Sequence, residues 1–384
     1  MAQIINTNIM SLNAQKNLNS SQGALATSLE RLSTGLRINS AKDDAAGLAI
    51  SERFSSQIRG LNQAVRNAND GISLAQTAEG AMQEVSNNLQ RIRELAVQSS
   101  NATNSESDRQ ALNEEVQQLI SEIQRVATQT DFNGQALLDG SFTGQGFQVG
   151  ANAGQMITVN ASTNAQTAAL GSTEFAAGTF EIAAPSDENT AIDIRDIEIN
   201  GVALDDINVA ASGTSAADTQ TAAVNALVAA VNERYAETGV IAEADGTTAG
   251  QVNLTSIQGG DAITADVTGA TFDDDAEAEV AFVANVDISS FSGAQQALGI
   301  MDNALAEISS ARAAFGAVQN RFESVIANLQ TGSENLSAAR SRIQDADFAA
   351  ETAELTRAQI LQQAGTSVLA QANAAPQNVL ALLQ

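Results

Sequence analysis

The chain has 384 residues, of which 43% are hydrophobic, and 45 acidic against 18 basic side chains give it a net charge of −27. It contains neither cysteine nor histidine, which removes thiol chemistry, the commonest general base and the commonest metal ligand. The composition therefore predicts a protein that is not an enzyme and holds no metal or cofactor. Its acidity argues against nucleic acid and anionic membranes as partners.

The negative charge is concentrated in one segment, residues 171–290. This segment contains 22 acidic residues and two basic ones, Arg195 and Arg234, so it carries −20 of the net charge. We expect it to form a separate, solvent-exposed module. Residues 1–20 lack a basic region followed by an apolar one, and no stretch has the length of a membrane span. We therefore expect no cleaved signal peptide, which leaves open the cytosol or an export route that uses a polar N-terminus.

Helical periodicity dominates the N-terminal third. Residues 28–51 begin with a heptad of leucines, and apolar residues at spacings of three and four predict a long coiled-coil-like helix over residues 58–96. The polar segment 99–108 is interpreted as a loop that ends in a helix cap. A second helix follows. Its predicted buried stripe consists of Leu112, Val116, Leu119, Ile123 and Val126.

Turn signals mark a change from helix to strand after residue 130. Asn133-Gly134 and Asp139-Gly140 are predicted to lie in turns between short strands. The acidic segment then has the pattern of an α+β module with two strands, one amphipathic helix and two further strands. These elements are predicted at residues 178–184, 195–204, 219–239, 239–246 and 250–257.

The C-terminal part returns to helix. A heptad stripe runs through residues 315–343, and residues 351–384 continue with a looser apolar face. Neither terminal stripe can be buried by its own helix, so the simplest arrangement pairs the two chain ends. We therefore predict a multidomain, mainly α fold. In it the N- and C-terminal helices pair into a long α-helical coiled-coil rod with a β-hairpin region, and the acidic α+β module is inserted as an outer domain.

Four motifs resemble those of bacterial flagellin, the subunit of the flagellar filament. They are SLERLSTGLRINSAKDDAAGLAIS at 28–51, LQRIRELAVQ at 89–98, TDFNGQALLDG at 130–140 and NVLALLQ at 378–384. The resemblance covers residues 1–165 and 290–384, and the middle of the chain is similar to flagellin IN insertions in IEINGVAL, TGVIAEA and GQVNLTSIQGGDAIT.

The resemblance implies three domains. Residues 1–43 with 342–384 would form a terminal coiled-coil domain that lines the inner tube of the filament and is disordered in the monomer. Residues 44–170 with 291–341 would form a helical rod domain, and residues 171–290 a variable outer domain. The family also implies a subunit that is exported unfolded, assembles at the distal tip for swimming and is extracellular, in the bacterial flagellum.

The same resemblance implies three sets of functional residues. The polymerisation interface would contain Leu25, Leu29, Leu32, Leu36, Leu336, Ile343, Leu355 and Leu361. A host Toll-like receptor would contact Arg91, Leu95 and Glu115, with Arg91 and Leu95 one turn apart on the same helix face. A C-terminal cluster would bind an export chaperone and a cytosolic flagellin sensor through Val379, Leu380, Leu382 and Leu383. Other copies of the chain, the filament cap and hook-junction proteins are further implied partners.

Each assignment has a plainer alternative. The terminal stripes also fit an intramolecular coiled coil, and Arg91 also fits a solvated helix face. The acidic run 272–279 lacks the ligand spacing of a calcium loop and is interpreted as a solvated turn. For the whole chain, a hook-filament junction protein and a secreted adhesin-like host-interaction protein are the alternatives to a filament subunit.

Overall fold

A computed structural model describes residues 7–159, 164–212, 215–245, 248–257, 259, 263–273 and 279–381, and the side chains in these ranges except those of residues 279 and 375–381. The described chain forms two compact units. The terminal unit takes its residues from Met1–Asn69, Gln148–Ile157 and Glu323–Gln384, and the central unit from Asp70–Phe147 and Thr158–Phe322. The boundaries of the three domains expected from the sequence stay predictions.

Long helices at both ends of the chain confirm the predicted mainly helical fold. The helices are α1 (Ile9–Thr34), α2 (Ala45–Ser99), α3 (Glu106–Gln129), α4 (Ala216–Glu233), α5 (Tyr235–Thr238), α6 (Phe291–Gln344) and α7 (Phe348–Ala381). Helix α1 ends at Gly35, whose left-handed φ of 73° suits a residue without a Cβ. Helix α3 begins with a capping box between Ser105 and Asp108, which confirms the cap predicted at the end of the polar loop.

The central unit has an apolar helical core. Most of the predicted apolar positions of α2 in this unit are buried, although Ile72 is only half-buried. The nine buried residues of α6 are four alanines and five larger side chains, among them Phe315 and Phe322. On α3 the buried residues are Val116, Ile120, Ile123 and Ala127. Of the predicted stripe, Leu112, Leu119 and Val126 are only half-buried. The two stripes differ by one residue, or about 100° around a helix, and the position of the neighbouring helices selects between them.

Fourteen strands are described between α3 and α6. They are β1 (Asp131–Phe132), β2 (Gln135–Ala136), β3 (Gln145–Gln148), β4 (Met156–Val159), β5 (Thr173–Phe175), β6 (Ala177–Glu181), β7 (Ile192–Ile199), β8 (Val202–Ala203), β9 (Ile207–Val209), β10 (Val240–Ala244), β11 (Gln251–Ser256), β12 (Ala265–Thr268), β13 (Thr271–Asp273) and β14 (Glu279–Ala281). Asn133 and Gly134 form the turn of the β1–β2 hairpin with φ values of 55° and 79°, as their sequence predicts. Gly140 also has a positive φ of 80° and lies, as predicted, in the segment between two short strands, β2 and β3, which do not pair with each other.

The acidic segment of the central unit folds as antiparallel sheets covered by α4. One sheet has the order β10-β11-β6-β13, and a second has β12-β7-β8 with β9 also paired to β7. Buried side chains of both sheets and of α4 share one core, which includes Phe180, Ile194, Leu227 and Leu254. The single helix predicted over residues 219–239 is wrong, because Arg234 leaves the helical conformation (φ −115°, ψ 22°) and separates α4 from α5.

Candidate assembly surface and exposed ion-pair site

The terminal unit pairs α1 with α7 through small side chains. Helix α7 is the principal packing partner of α1. The buried residues of this pair are Ser11, Ala14, Ser28, Ala358 and Ala372. Gly365 also lies against α1, since a Cβ placed on it would be 3.3 Å from Leu18 Cδ1. Small residues let the helices approach closely but bury little apolar area, so the pair gains little from the hydrophobic effect.

Polar contacts fix the antiparallel register of α1 and α7. Near the start of α1, Asn8 Nδ2 donates to the carbonyl oxygen of Ala372 at 2.7 Å. Near its end, Arg31 Nη1 lies 3.6 Å from Glu351 Oε2. These contacts lie at opposite ends of α1, so they align the two helices along their length.

The connection between α1 and α2 is tied to the connection between α6 and α7. Arg37 N–H donates to Gln344 O at 2.7 Å, and Ala346 N–H donates to Gly35 O at 2.9 Å. These bonds satisfy backbone groups at helix ends that have no partner within their own helix. The turn after α1 is closed by Asp43, which accepts hydrogen bonds from the backbone N–H and the hydroxyl of Ser40, and these bonds lower the pKa of Asp43.

Large apolar side chains remain exposed on this helix pair. They are Ile9, Met10, Leu12, Leu29, Phe348, Ile360, Leu361 and Val368. Their exposed fractions run from 50% for Leu29 to 68% for Met10. Single exposed apolar residues are ordinary on protein surfaces, but eight on two paired helices form a concentration typical of an interaction surface.

The predicted polymerisation residues all lie in the terminal unit, with different exposure. Leu29 and Leu361 are exposed, and the other six are half-buried: Leu25, Leu32, Leu36, Leu336, Ile343 and Leu355. The prediction omitted six of the eight exposed residues. The sequence contains a signal for one of these omissions, because Ile360 and Leu361 are adjacent. Consecutive helical residues point about 100° apart, so these two side chains cannot both face one partner helix.

A second exposed feature lies on α2 and α3 of the central unit. Arg91 Nε and Nη2 both donate to Glu115 Oε1, at 3.0 and 2.9 Å, and Arg91 Nη1 donates to Glu94 Oε2 at 3.2 Å. The bonds to Glu115, and then those to Glu94, raise the pKa of Arg91. The structure thus brings together two of the three predicted receptor contacts. An exposed ion pair of this kind contributes little to the stability of the fold. It is relevant here because it presents charged groups of two helices on the surface.

The third predicted contact, Leu95, lies elsewhere. Its side chain is 0% exposed and belongs to the core of the central unit. Arg91 and Leu95 are predicted to lie on one helix face, but in the structure the Arg91 side chain is exposed and that of Leu95 is buried. Residues four apart on a helix differ by about 40° in direction, which places Arg91 at the edge of the buried stripe and Leu95 inside it.

The remaining predicted sites fall largely outside what the structure describes. Leu382 and Leu383 lie outside the described residues, and for Val379 and Leu380 only the helical backbone of α7 is described. Residues 274–278 of the acidic run are also outside them. Within the described ranges, there is no cluster of three acidic side chains suited to a metal ion, and no helix has the length and apolarity needed to cross a membrane.

Comparisons with known proteins match the chain over its full length. The family model of the bacterial flagellin N-terminal helical region matches residues 5–143, and that of the C-terminal helical region matches residues 298–383. The chain is 43% identical to flagellin B of Vibrio cholerae and 41% identical to B-type flagellin of Pseudomonas aeruginosa, with all of both chains covered in each case. The chain belongs to the bacterial flagellin family. Flagellins are structural subunits of the flagellar filament, an extracellular assembly.

Solved structures of flagellar proteins are also similar to this flagellin. FliC from Burkholderia pseudomallei is 31% identical and matches with a TM-score of 0.40, over 65% of this chain and 99% of that one. Flagellar hook associated protein-3 from Legionella pneumophila is 17% identical and matches with a TM-score of 0.46, over 76% of this chain and 98% of that one.

Proposed function

We propose that this flagellin polymerises through the exposed apolar side chains of α1 and α7 into an extracellular filament that drives swimming. The observation that supports the proposal is the concentration of eight such side chains on a helix pair that buries mainly small residues. The chain would be exported unfolded, without a cleaved signal peptide, and its terminal helices would become ordered on assembly at the distal tip, beneath the cap.

The size of this surface suits reversible, condition-dependent assembly. Eight side chains that are each about half exposed would contribute roughly 8 kcal/mol in total if neighbouring subunits buried them. The loss of translational and rotational freedom on association costs about 4–15 kcal/mol. The two terms are of similar size, so agents that strengthen apolar burial, such as sulfate, should drive polymerisation.

The test is negative-stain electron microscopy of the purified chain after addition of ammonium sulfate. We expect long uniform filaments from the wild type, and none from Leu29→Glu or from a chain that lacks residues 1–40. Val280→Glu is the matched control, because Val280 is similarly exposed, at 45%, but lies in the acidic module. Filaments of normal length from Leu29→Glu would exclude this surface.

The hook-filament junction protein is the second candidate. The relatives that are 41–43% identical over the full chain are flagellins, which favours the filament subunit. A junction protein would form short rods rather than long filaments under every salt condition. A secreted adhesin-like protein would form neither.

We also propose that the Arg91–Glu115 pair is a contact for the host Toll-like receptor that senses flagellin. The pair is exposed and joins α2 to α3, so a partner could reach both side chains at once. Leu95 is left out of the proposed contact because it is buried. Its expected role is to support the helix surface from beneath.

This contact is tested by receptor signalling assays with Arg91→Ala. Arg125→Ala is the matched control, since Arg125 is also an exposed arginine bonded to a glutamate, Glu122, on α3. We expect reduced signalling from the first variant and wild-type signalling from the second, with unchanged helix content in both. Equal signalling by the two variants would remove the proposal.

The C-terminal cluster is proposed to bind an export chaperone in the cytosol and a host cytosolic flagellin sensor. An apolar chain end on a helix that later packs in a filament needs shielding before export. A pull-down with the chaperone should lose the chain when it is truncated after Asp345. Retained binding would place the chaperone site elsewhere.

A further inference from the structure

The two Asn-Gly pairs of the chain occupy similar turns. Asn133-Gly134 joins β1 to β2, and Asn200-Gly201 joins β7 to β8. All four residues have positive φ, between 51° and 80°. Glycine after asparagine leaves the following backbone nitrogen without a shielding Cβ. In such a pair that nitrogen can attack the carbon of the asparagine carboxamide.

The carboxamide of Asn200 is held on both sides. Its Nδ2 donates to Thr238 O at 2.8 Å, and its Oδ1 accepts from the Thr264 backbone N–H at 2.9 Å. The Thr264 hydroxyl adds a longer bond to the same Oδ1 at 3.3 Å. Because Asn200 also follows directly on the eight-residue strand β7, the side chain cannot turn toward Gly201 without breaking these bonds.

The Asn133 side chain is not held in this way. Asn133 is exposed whereas Asn200 is half-buried, and both following glycines, Gly134 and Gly201, have nothing within 4 Å of a Cβ position. Among the described residues, none is hydrogen-bonded to the Asn133 carboxamide. The strands on either side have only two residues each, so the hairpin opens at low cost.

The nitrogen of Gly134 also has a proton acceptor beside it. Its N–H donates to Asp131 Oδ1 at 3.1 Å. A carboxylate in this position can receive the proton that the nitrogen must lose when it becomes a nucleophile. In the described part of the chain, no carboxylate is hydrogen-bonded to Asn200 or Gly201.

We propose that Asn133 is a site of spontaneous deamidation in the folded protein and that Asn200 is protected. The Gly134 nitrogen forms a bond to Asn133 Cγ, the bond from Cγ to Nδ2 breaks, and ammonia leaves with the proton that Asp131 accepted. The product is a five-membered succinimide. One water molecule then opens the ring at either carbonyl and leaves aspartate or isoaspartate at residue 133, with no change in oxidation state.

The reaction would change the hairpin as well as the charge. Either product adds one negative charge to an already acidic chain. Isoaspartate also lengthens the backbone by one carbon at a position that requires a left-handed φ, so the β1–β2 pairing cannot keep its register.

A protease that cleaves before aspartate separates the two sites into short peptides. It releases residues 131–138 and residues 196–204 from the full chain, each with one Asn-Gly pair. The purified protein is incubated at mildly alkaline pH, both folded and unfolded in urea, and the peptides are followed by mass spectrometry. Aspartate at residue 133 creates a new cleavage site and isoaspartate does not, so the two products are distinguished.

In the folded protein we expect peptide 131–138 to convert roughly 30–100 times faster than peptide 196–204, as breaking two to three hydrogen bonds implies. In urea the two should convert at similar rates. Asn133→Gln is the control, because a glutamine would need a six-membered ring, and its peptide should stay unchanged. Two results would overturn the proposal. One is equal conversion of the two peptides in the folded protein. The other is a folded protein in which peptide 131–138 stays unchanged although both peptides convert in urea.

Discussion

Gly71 of α2 allows the ring of Phe322 on α6 to pack directly against the helix backbone. A Cβ on Gly71 would lie 2.7, 2.9 and 3.2 Å from three atoms of that ring. Phe322 is fully buried, and the Phe147 ring packs against it edge-to-face with the ring centroids 5.6 Å apart. The ring therefore cannot move aside to admit a methyl group, and Gly71→Ala should destabilise the central unit.

The expected effect follows from two opposing terms. Replacing glycine by alanine within a helix stabilises it by about 1 kcal/mol. Overpacking a core costs about 1–3 kcal/mol, and contacts below 3 Å place this site at the upper end. Gly71→Ala should therefore lower the free energy of unfolding by about 2 kcal/mol. With Phe322→Ala, which by itself costs about 3–5 kcal/mol, the clash disappears and the same change should become stabilising.

The assay is urea unfolding of the two single variants and the double variant, followed by far-UV circular dichroism. Gly80→Ala is the matched control, because Gly80 lies on the same helix with nothing within 4 Å of its Cβ position, and it should stabilise by about 1 kcal/mol. The reasoning is refuted if Gly71→Ala stabilises as much as Gly80→Ala, or if its effect is the same with and without the Phe322 ring.

Three further changes test other parts of the molecule. The hydroxyl and then the backbone N–H of Ser105 lower the pKa of Asp108 in the folded protein. The ionised Asp108 therefore stabilises the fold at pH values above its ordinary pKa of about 4. This stabilisation is lost as the pH falls through the lower pKa of the folded state. Asp108→Asn should thus unfold more easily at neutral pH and match the wild type in acid, which a urea series across pH would show. The net −20 of residues 171–290 predicts a higher melting temperature in about 1 M salt than in low salt, measured by calorimetry. The Asn232 carboxamide binds both backbone groups of Ala242, at 2.8 and 2.9 Å, so Asn232→Ala should cost about 2–3 kcal/mol in urea unfolding.

Local patterns were sufficient to predict many elements of this fold. The heptad spacing along α2 predicted the helix and most of its buried positions, because a period of three and four residues places side chains on one side whatever the partner is. Asn133-Gly134 predicted the β1–β2 turn, since few other residue pairs adopt two consecutive positive φ values cheaply. Both signals depend only on neighbouring residues.

The sequence-based predictions failed where a packing partner determines which residues are buried or where a helix ends. On α3, two stripes one residue apart satisfy the same spacing, and packing buries Ile120 in preference to Leu119. Leu95 and Arg91 share a helical turn, yet one lies in the core and the other carries an exposed ion pair. The break between α4 and α5 at Arg234 coincides with hydrogen bonds from Asn232 to a strand that follows it in sequence. No local pattern contains that contact.

The sequence by itself determined the family of the protein, because the motifs at both chain ends can be read residue by residue. It also determined that two terminal helices need partners. Only the tertiary structure decided which apolar residues α1 and α7 leave exposed, which of two Asn-Gly pairs is restrained, and which residues beside Arg91 are reachable. Each of these depends on side chains from segments distant in sequence, and burial is a property of the packed chain rather than of any residue within it.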